Sequence, residues 1–401
     1  MKILQLCNRV PFPLVDGGAI AMFAMTKSFA NAGCEVHTLA INTKKHFVDP
    51  TKIPSWFSDK TELYTVNADT DVKAAGAFMN LFSSSSYNLV RFDIPEYHKK
   101  LEELLKKNKY DVVQLEGLFL SMYIPTIRKY SAALISMRAH NVEYLIWERM
   151  ALNTNSVVKK KYLQLLAARL KREEIAALNQ VDCIVPISSV DEASYQKLGA
   201  KVPMLVCTGG VDEDLLLFAT QSTEVNSIFH LAAMNWQPNL QAADWLLEKI
   251  WPLLKNKFPD LKLYLVGKDM PAKYFKLENQ QLQVNGAVAN AFDFMLSKNI
   301  MLVPLLSGSG MRIKIVEGMA LGKVIVSTRI GAEGIDYTHK KNILIADTAE
   351  DFASAVELAL TQKELYQSIS TNARQLVKEK YTNTSIVNAL LNFYETQLKQ
   401  K

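Results

Sequence analysis

Cysteine is scarce in this 401-residue chain, which holds four, Cys7, Cys34, Cys183 and Cys207. They lie far apart and form no C-x-x-C pair, which excludes a zinc ribbon, a thioredoxin-type motif and a disulfide framework. Reduced, mostly buried thiols of a cytoplasmic protein are expected instead. Long apolar runs are also missing: no stretch approaches the roughly 18 consecutive apolar residues that a membrane-spanning helix needs. The apolar start Ile3-Leu4-Gln5-Leu6-Cys7 is too short for a signal peptide, because Asn8, Arg9, Pro11 and Pro13 follow at once. No charge sign dominates. Lys and Arg number 46 against 40 Asp and Glu, and the net +6 is spread along the chain, so there is no footprint for nucleic acid. Repeats and low-complexity tracts are absent. What is present, 49% hydrophobic and 21% charged residues, describes a soluble globular protein, and 401 residues exceed one ordinary core. Two domains are expected.

Strand and helix patterns alternate. Lys2 to Cys7 reads as a strand, Gly17 and Gly18 as a turn, Ala19 to Ala32 as a helix ending at Gly33, and Glu35 to Ala40 as a second strand. Further units follow: a helix from Leu101 to Asn108, strands at Asp111 to Leu115 and Ala133 to Met137, a long charged helix from Val157 to Asn179, and a strand at Cys183 to Pro186. A second series begins with a strand at Ile228 to Leu231. A helix from Leu240 to Leu254 and strands at Leu261 to Val266 and Gln283 to Gly286 continue it. This alternation predicts an α/β protein with two doubly wound parallel sheets and a ligand in the cleft between them. The expected domains are 1–207, a linker at 208–226, 227–380, and a terminal helix within 381–401.

The segment from Leu306 to Gly322 carries the strongest chemical signal. It follows the apolar run Ile300 to Leu305 and opens into helical spacing, with Ile315, Val316, Met319 and Ala320 on one face. Gly322 is placed to end that helix before the strand Lys323 to Thr328. Gly308, Ser309 and Gly310 therefore form a turn at a strand-to-helix junction, where free N–H groups and the helix dipole favour an anion. Arg312 and Lys314 in the first helical turn work against that dipole unless an anion binds, and a diphosphate fits. Lys314 and Glu317, three apart, also have a plain reading as a helix-surface ion pair worth ~0.2–0.5 kcal/mol.

These residues resemble the family-4 retaining glycosyltransferases of the two-Rossmann-domain GT-B type, also described as glycosyl transferases group 1. The resemblance covers essentially the whole chain. It rests on Gly308 to Gly322, Arg138-Ala139-His140-Asn141-Val142-Glu143-Tyr144, Met234-Asn235-Trp236-Gln237-Pro238-Asn239 and Gly331-Ala332-Glu333-Gly334. It implies sugar transfer from a nucleotide-diphosphate sugar, usually without a metal. It also implies donor binding by the C-terminal domain, acceptor binding by the N-terminal domain, and a last helix, here Thr384 to Leu398, that returns to the N-terminal domain. Many members carry two glutamates with seven residues between them. Glu317 takes the second place, but Ser309 stands where the first carboxylate would be. Where many members place Arg and Lys, this chain has Asn235-Trp236-Gln237-Pro238, which leaves the diphosphate clamp to Arg312 and Lys314 alone.

The resemblance assigns catalytic roles to His140, Arg312, Lys314 and Glu317, with Glu317 on the ribose and His140 at the donor sugar. Gly17, Gly18, Gly308, Ser309, Gly310 and Glu333 are expected at the donor. Glu116, Asn141 and Glu143 are expected on the acceptor side, Glu116 because it ends a strand. No metal ligand set and no cofactor is expected; the co-substrate is a UDP- or GDP-sugar. The expected activity is retaining hexosyl transfer to a glycan or lipid-linked acceptor in cell-surface polysaccharide or glycoconjugate biosynthesis. The alternatives are a nucleotide-sugar epimerase on the same fold and a catalytically idle subunit that binds a sugar nucleotide or glycan. The expected site is the cytoplasm, with peripheral contact to the membrane through the basic helix of Lys159, Lys160, Lys161, Arg169, Lys171 and Arg172.

Overall fold

A computed structural model describes residues 1–14, 17–53, 55, 57, 61–152, 157–218, 224–308 and 310–401. The chain divides into two compact units: Met1–Gly209 with Ile386–Lys401, and Gly210–Ser385.

The first unit is built on strands β1 (Lys2–Cys7), β2 (Glu35–Thr43), β3 (Glu62–Ala68), β4 (Val112–Glu116), β5 (Leu134–Ala139) and β6 (Cys183–Pro186). They pair in parallel in the order β3-β2-β1-β4-β5-β6. Helices cover such a sheet on both faces, so its central strands read as continuous buried runs, and every residue of β4 and β5 is buried. The covering helices have one apolar stripe. The helix Pro95–Lys107 buries Tyr97, Leu101, Leu104 and Leu105, starts on a proline and ends on Lys106 and Lys107, which suit its negative end.

The second unit repeats the plan with β7 (Ser227–Leu231), β8 (Lys262–Val266), β9 (Leu282–Asn285), β10 (Ile300–Val303), β11 (Val324–Ser327) and β12 (Leu344–Ile345). Its order is β12-β11-β10-β7-β8-β9, the same winding read from the opposite edge. In each sheet the order reverses once, between β1 and β4 and between β7 and β10. Connections leave to opposite sides there, so a crevice opens at the C-terminal ends of the strands.

Several boundaries differ from the sequence reading. β3, the two-residue β12 and the helices Ala349–Thr361 and Lys363–Lys380 extend the alternation. The helix expected from Leu240 begins at Gln237 and passes through a π turn, Leu246–Ile250, before Trp251–Lys255. Pro252 has no N–H to give to the preceding turn, which accounts for the irregularity there. The first part of the expected linker packs onto the second unit, where Val211 and Leu215 are buried with Ile315 and Met319. Its residues 219–223 lie outside the described set. In the last helix, Asn383–Gln400, Ile386, Val387, Leu390 and Tyr394 are buried with Ile3, Phe29 and Val112 of the first unit. Cys7, Cys183 and Cys207 are buried and all four thiols are free. Among the described residues, no helix is long and apolar enough to cross a membrane.

Candidate functional site

Each unit has a cavity at its switch point. In the second unit a cavity of about 500 Å³ is walled by the ends of β7 and β10 (His230, Leu231, Met301, Val303) and by the start of the helix Ile313–Ala320 (Arg312, Ile313, Lys314). Trp236, Lys268, Ala287 and Val288 close it. That volume lies within the range of small-ligand sites.

Arg312 is not inside the first turn, as expected, but is the residue that precedes the helix, with extended backbone angles. Its guanidinium lies over the Trp236 ring at 5.0 Å, and Nη1 donates to the Gly310 carbonyl at 2.5 Å. Burial lowers its pKa, which Glu333 partly offsets. The turn is shaped by glycines at positive φ, +119° at Gly308 and +86° at Gly310. A Cβ on Gly308 would stand 2.6 Å from Arg312 Nη2 and 2.8 Å from the Trp236 ring, so only glycine admits that stack. Glu333 accepts the Gly310 N–H at 3.0 Å and fastens the loop. Gly308, Gly310, Glu317 and Glu333 thus frame the segment without lining the cavity. Lys314 and Glu317 pair at 2.7 Å, the plain helix-surface contact, with Lys314 half exposed. Lys268, two residues after β8, is a third cation on the wall beside Arg312 and Lys314. Ser309 lies outside the described residues.

His230 was not singled out by the sequence. It is buried on β7, its Nδ1 donates to the Leu302 carbonyl at 2.9 Å, and its Nε2 has no partner among the described residues. Burial lowers its pKa, so the neutral ring turns a lone pair inward.

In the first unit a cavity of about 330 Å³ is lined by residues that follow β1 (Asn8, Arg9), β4 (Glu116, Gly117) and β5 (His140, Asn141), and by Gly18 and Glu143. Gly17 opens the helix Gly17–Asn31 behind it; Asp16 lies outside the described residues. Glu116 lines the cavity with four donors on its carboxylate: Gln5 Nε2 at 2.6 Å, Gln114 Nε2 at 2.5 Å, His140 Nε2 at 2.7 Å and Arg138 Nη1 at 3.3 Å. Burial alone would raise its pKa. The adjacent Arg138 charge, then the His140 and Gln5 hydrogen bonds, outweigh that and hold it at about 2. A carboxylate can only accept, so His140 carries a proton on Nε2, and in that neutral tautomer Nδ1 would hold the lone pair.

Asn141 lines the cavity and gives its carbonyl to the Tyr195 hydroxyl at 2.7 Å. Glu143 begins the helix Glu143–Leu152, and Glu174 accepts the Glu143 and Tyr144 N–H groups at 3.0 Å each, capping that helix from the long helix Val157–Leu178. Glu174 is fully buried. Burial raises both carboxyls to about 7, with Glu174 adding repulsion at Glu143. Among the described residues no group of three or more His, Cys, Asp or Glu is arranged to hold a metal.

Residues 226–362, most of the second unit, match the family described as glycosyl transferases group 1. Over nearly its whole length (97% of this chain, 98% of the other) the chain is 22% identical to an uncharacterized 44.6 kDa protein in the cps region of Klebsiella pneumoniae. It is 24% identical to an uncharacterized glycosyltransferase of Haemophilus influenzae, over 72% of this chain and 77% of that one. Among solved structures it is similar to Anabaena HepE in complex with UDP, with a TM-score of 0.64 at 14% identity over 99% of this chain and 100% of that one. The fold is therefore GT-B, two Rossmann-like units, and the second unit is similar to the glycosyl transferases group 1 family over the matched residues.

Proposed function

We propose that the chain is a retaining, family-4-like glycosyltransferase. It would move a hexosyl unit from a UDP- or GDP-sugar to a glycan or lipid-linked acceptor in cell-surface polysaccharide or glycoconjugate biosynthesis. The observation that carries this reading is the cation-walled cavity at the second unit's switch point, which opens onto the start of the helix Ile313–Ala320. The matched family and the UDP held by the HepE relative support it.

In the proposed reaction the bond from the anomeric carbon to the diphosphate oxygen breaks, and the leaving group takes the electron pair. Arg312, Lys314, Lys268 and the helix N–H groups stabilise that growing charge. Lys314 leaves Glu317 for the phosphate, which frees the Glu317 carboxylate for the ribose hydroxyls. The acceptor hydroxyl attacks from the face the diphosphate leaves, and leaving-group oxygens take its proton, so no metal or added base is required. His140 Nδ1 accepts a hydrogen bond from a sugar hydroxyl, and Glu116 fixes the ring. The place of action is the cytoplasm, at the membrane face. The strip of Phe78, Met79 and Phe82, 63%, 72% and 84% exposed, supports that contact. Arg169 and Arg172 hold this strip by donating to the Asn80, Leu81 and Ser84 carbonyls, and their charge suits anionic lipid.

The test is turnover of UDP-, GDP-, ADP- and dTDP-sugars with a cell-derived acceptor mixture, with the anomeric configuration of the product read by NMR. Arg312→Ala and Lys314→Ala should each lower transfer by about 100- to 1,000-fold. Unchanged transfer in both sinks the clamp. Donor conversion without acceptor would instead mark an epimerase, and donor binding without turnover an idle binding subunit.

A further inference from the structure

The cavity of the first unit carries more positive charge than a neutral acceptor needs. Arg9, Lys45 and Arg91 are fixed cations on its wall, with His46 beside them. Among the described residues three carboxyl groups line it in return, Asp71, Glu116 and Glu143. Glu116 is already committed to the buried Arg138 and to His140. Glu143 is buried beside Glu174, which favours its protonated form. Among the described residues that leaves Asp71 as the carboxylate facing Lys45 and Arg91.

Arg91 is the best placed of them. Its Nη1 donates to the Thr70 carbonyl at 3.0 Å, its guanidinium lies 4.9 Å from the Phe92 ring centroid, and both Thr70 and Phe92 share the cavity wall. Its Nε is buried with no hydrogen-bond partner among the described residues. A buried guanidinium N–H without an acceptor is costly, and a planar guanidinium matches an oxyanion.

We propose that this cavity binds an acidic acceptor, a sugar bearing a phosphate or carboxylate group, with the oxyanion at Arg91 and Lys45 and a sugar hydroxyl at His140. The word acceptor rests on the glycosyl-transfer reading; the binding does not. A concave wall with an excess of positive charge attracts anions, and its pull weakens with salt.

The experiment is calorimetric titration of the 401-residue chain with glucose 1-phosphate, glucuronate and methyl glucoside, in the wild type and in Arg91→Gln, Arg91→Lys and Lys363→Ala. An acidic sugar should bind at least about tenfold tighter than methyl glucoside, since charged hydrogen bonds contribute ~1.5–3 kcal/mol and ~1.4 kcal/mol is tenfold. The comparison of phosphate with carboxylate identifies which group is preferred. Arg91→Gln should remove that preference, Arg91→Lys should keep part of it, and Lys363→Ala, an exposed cation of the other unit, should leave it intact. Equal affinity for the neutral glycoside overturns the proposal. So does retention of the preference in Arg91→Gln. Because the readout is binding, a negative result here leaves glycosyl transfer standing, and absent turnover leaves this site standing.

Discussion

Replacing Glu116 by Gln should be among the most damaging single changes in the first unit. The substitution keeps the volume but removes the charge, and it presents an amide N–H₂ to four donors that now face one carboxylate. Arg138, 2% exposed, would remain charged without its counter-ion. The pKa offers one measure of the loss. The difference between 4.5 and about 2, at ~1.4 kcal/mol per pH unit, gives ~3 kcal/mol. Stranding a buried charge gives a similar figure, ~3–5 kcal/mol. The assay is urea unfolding at neutral pH, followed by hydrogen exchange of the β4 and β5 amides, which reports on this unit. The acid limb supplies a sign check. A depressed carboxyl pKa contributes stability above about 4.5 that is lost as pH falls through about 2. The gap between wild type and Glu116→Gln should therefore narrow in acid. Adding Arg138→Met should recover part of the loss, because the stranded charge is gone. A Glu116→Gln protein within ~0.5 kcal/mol of wild type, or a gap that ignores pH, would refute the network as described.

Glu143→Gln should act in the opposite sense with pH. A carboxyl raised from 4.5 to about 7 contributes stability below about 4.5 that is lost as pH rises through about 7, so the variant should gain up to ~3 kcal/mol relative to wild type between pH 5 and pH 8, read by denaturant midpoints. Gly308→Ala should displace the Arg312–Trp236 stack, because its Cβ would stand 2.6 Å from Nη2 at a positive φ. With that stack worth ~0.5–2 kcal/mol, UDP affinity by thermal shift should fall several-fold, and an unchanged shift would show the stack to be idle. Tyr394→Phe removes the hydroxyl that donates to Gln114 Oε1 at 2.8 Å and meets Ser136 Oγ at 2.8 Å. It should cost ~1–3 kcal/mol in thermal or urea unfolding, and no loss would show those bonds to be replaceable.

The fold was legible because parallel strands buried on both faces are short apolar runs, and their helices have apolar stripes three or four apart. The weak elements were those without that contrast. β3 is mostly half-buried and β12 has only two residues. The strand-to-helix junction after β10 was legible because Gly308, Gly310 and Gly322 punctuate an apolar helical stripe, and all three take positive φ. Glu174 was not, since a glutamate in Lys-Arg-Glu-Glu reads as a solvated face, and only the tertiary fold buries it over the start of the helix Glu143–Leu152.

The Glu116 network had a signal that a strand-by-strand reading does not use. Gln5 and Cys7, Gln114 and Glu116, Ser136 and Arg138 each stand two apart in an otherwise apolar strand, so each pair shares one face. A polar group inside a buried strand needs a partner, and three such pairs in one sheet point to one another. The register joins them, with Gln5 beside Gln114 and Gln114 beside Ser136, and with Cys7, Glu116 and Arg138 in the next row. This construction sets the two cavities apart. The second unit shapes its cavity with backbone, using glycines at positive φ and a helix start, and its cations reach the wall from two segments, Lys268 after β8 and Arg312 with Lys314 at that helix start. The first unit shapes its site with side chains that share hydrogen bonds on one carboxylate. Substitutions at Arg312, Lys314 and Lys268 should therefore combine nearly additively in nucleotide affinity. Substitutions at Gln5, Gln114, Arg138 and His140 should not, because each changes what the same Glu116 carboxylate has left to satisfy.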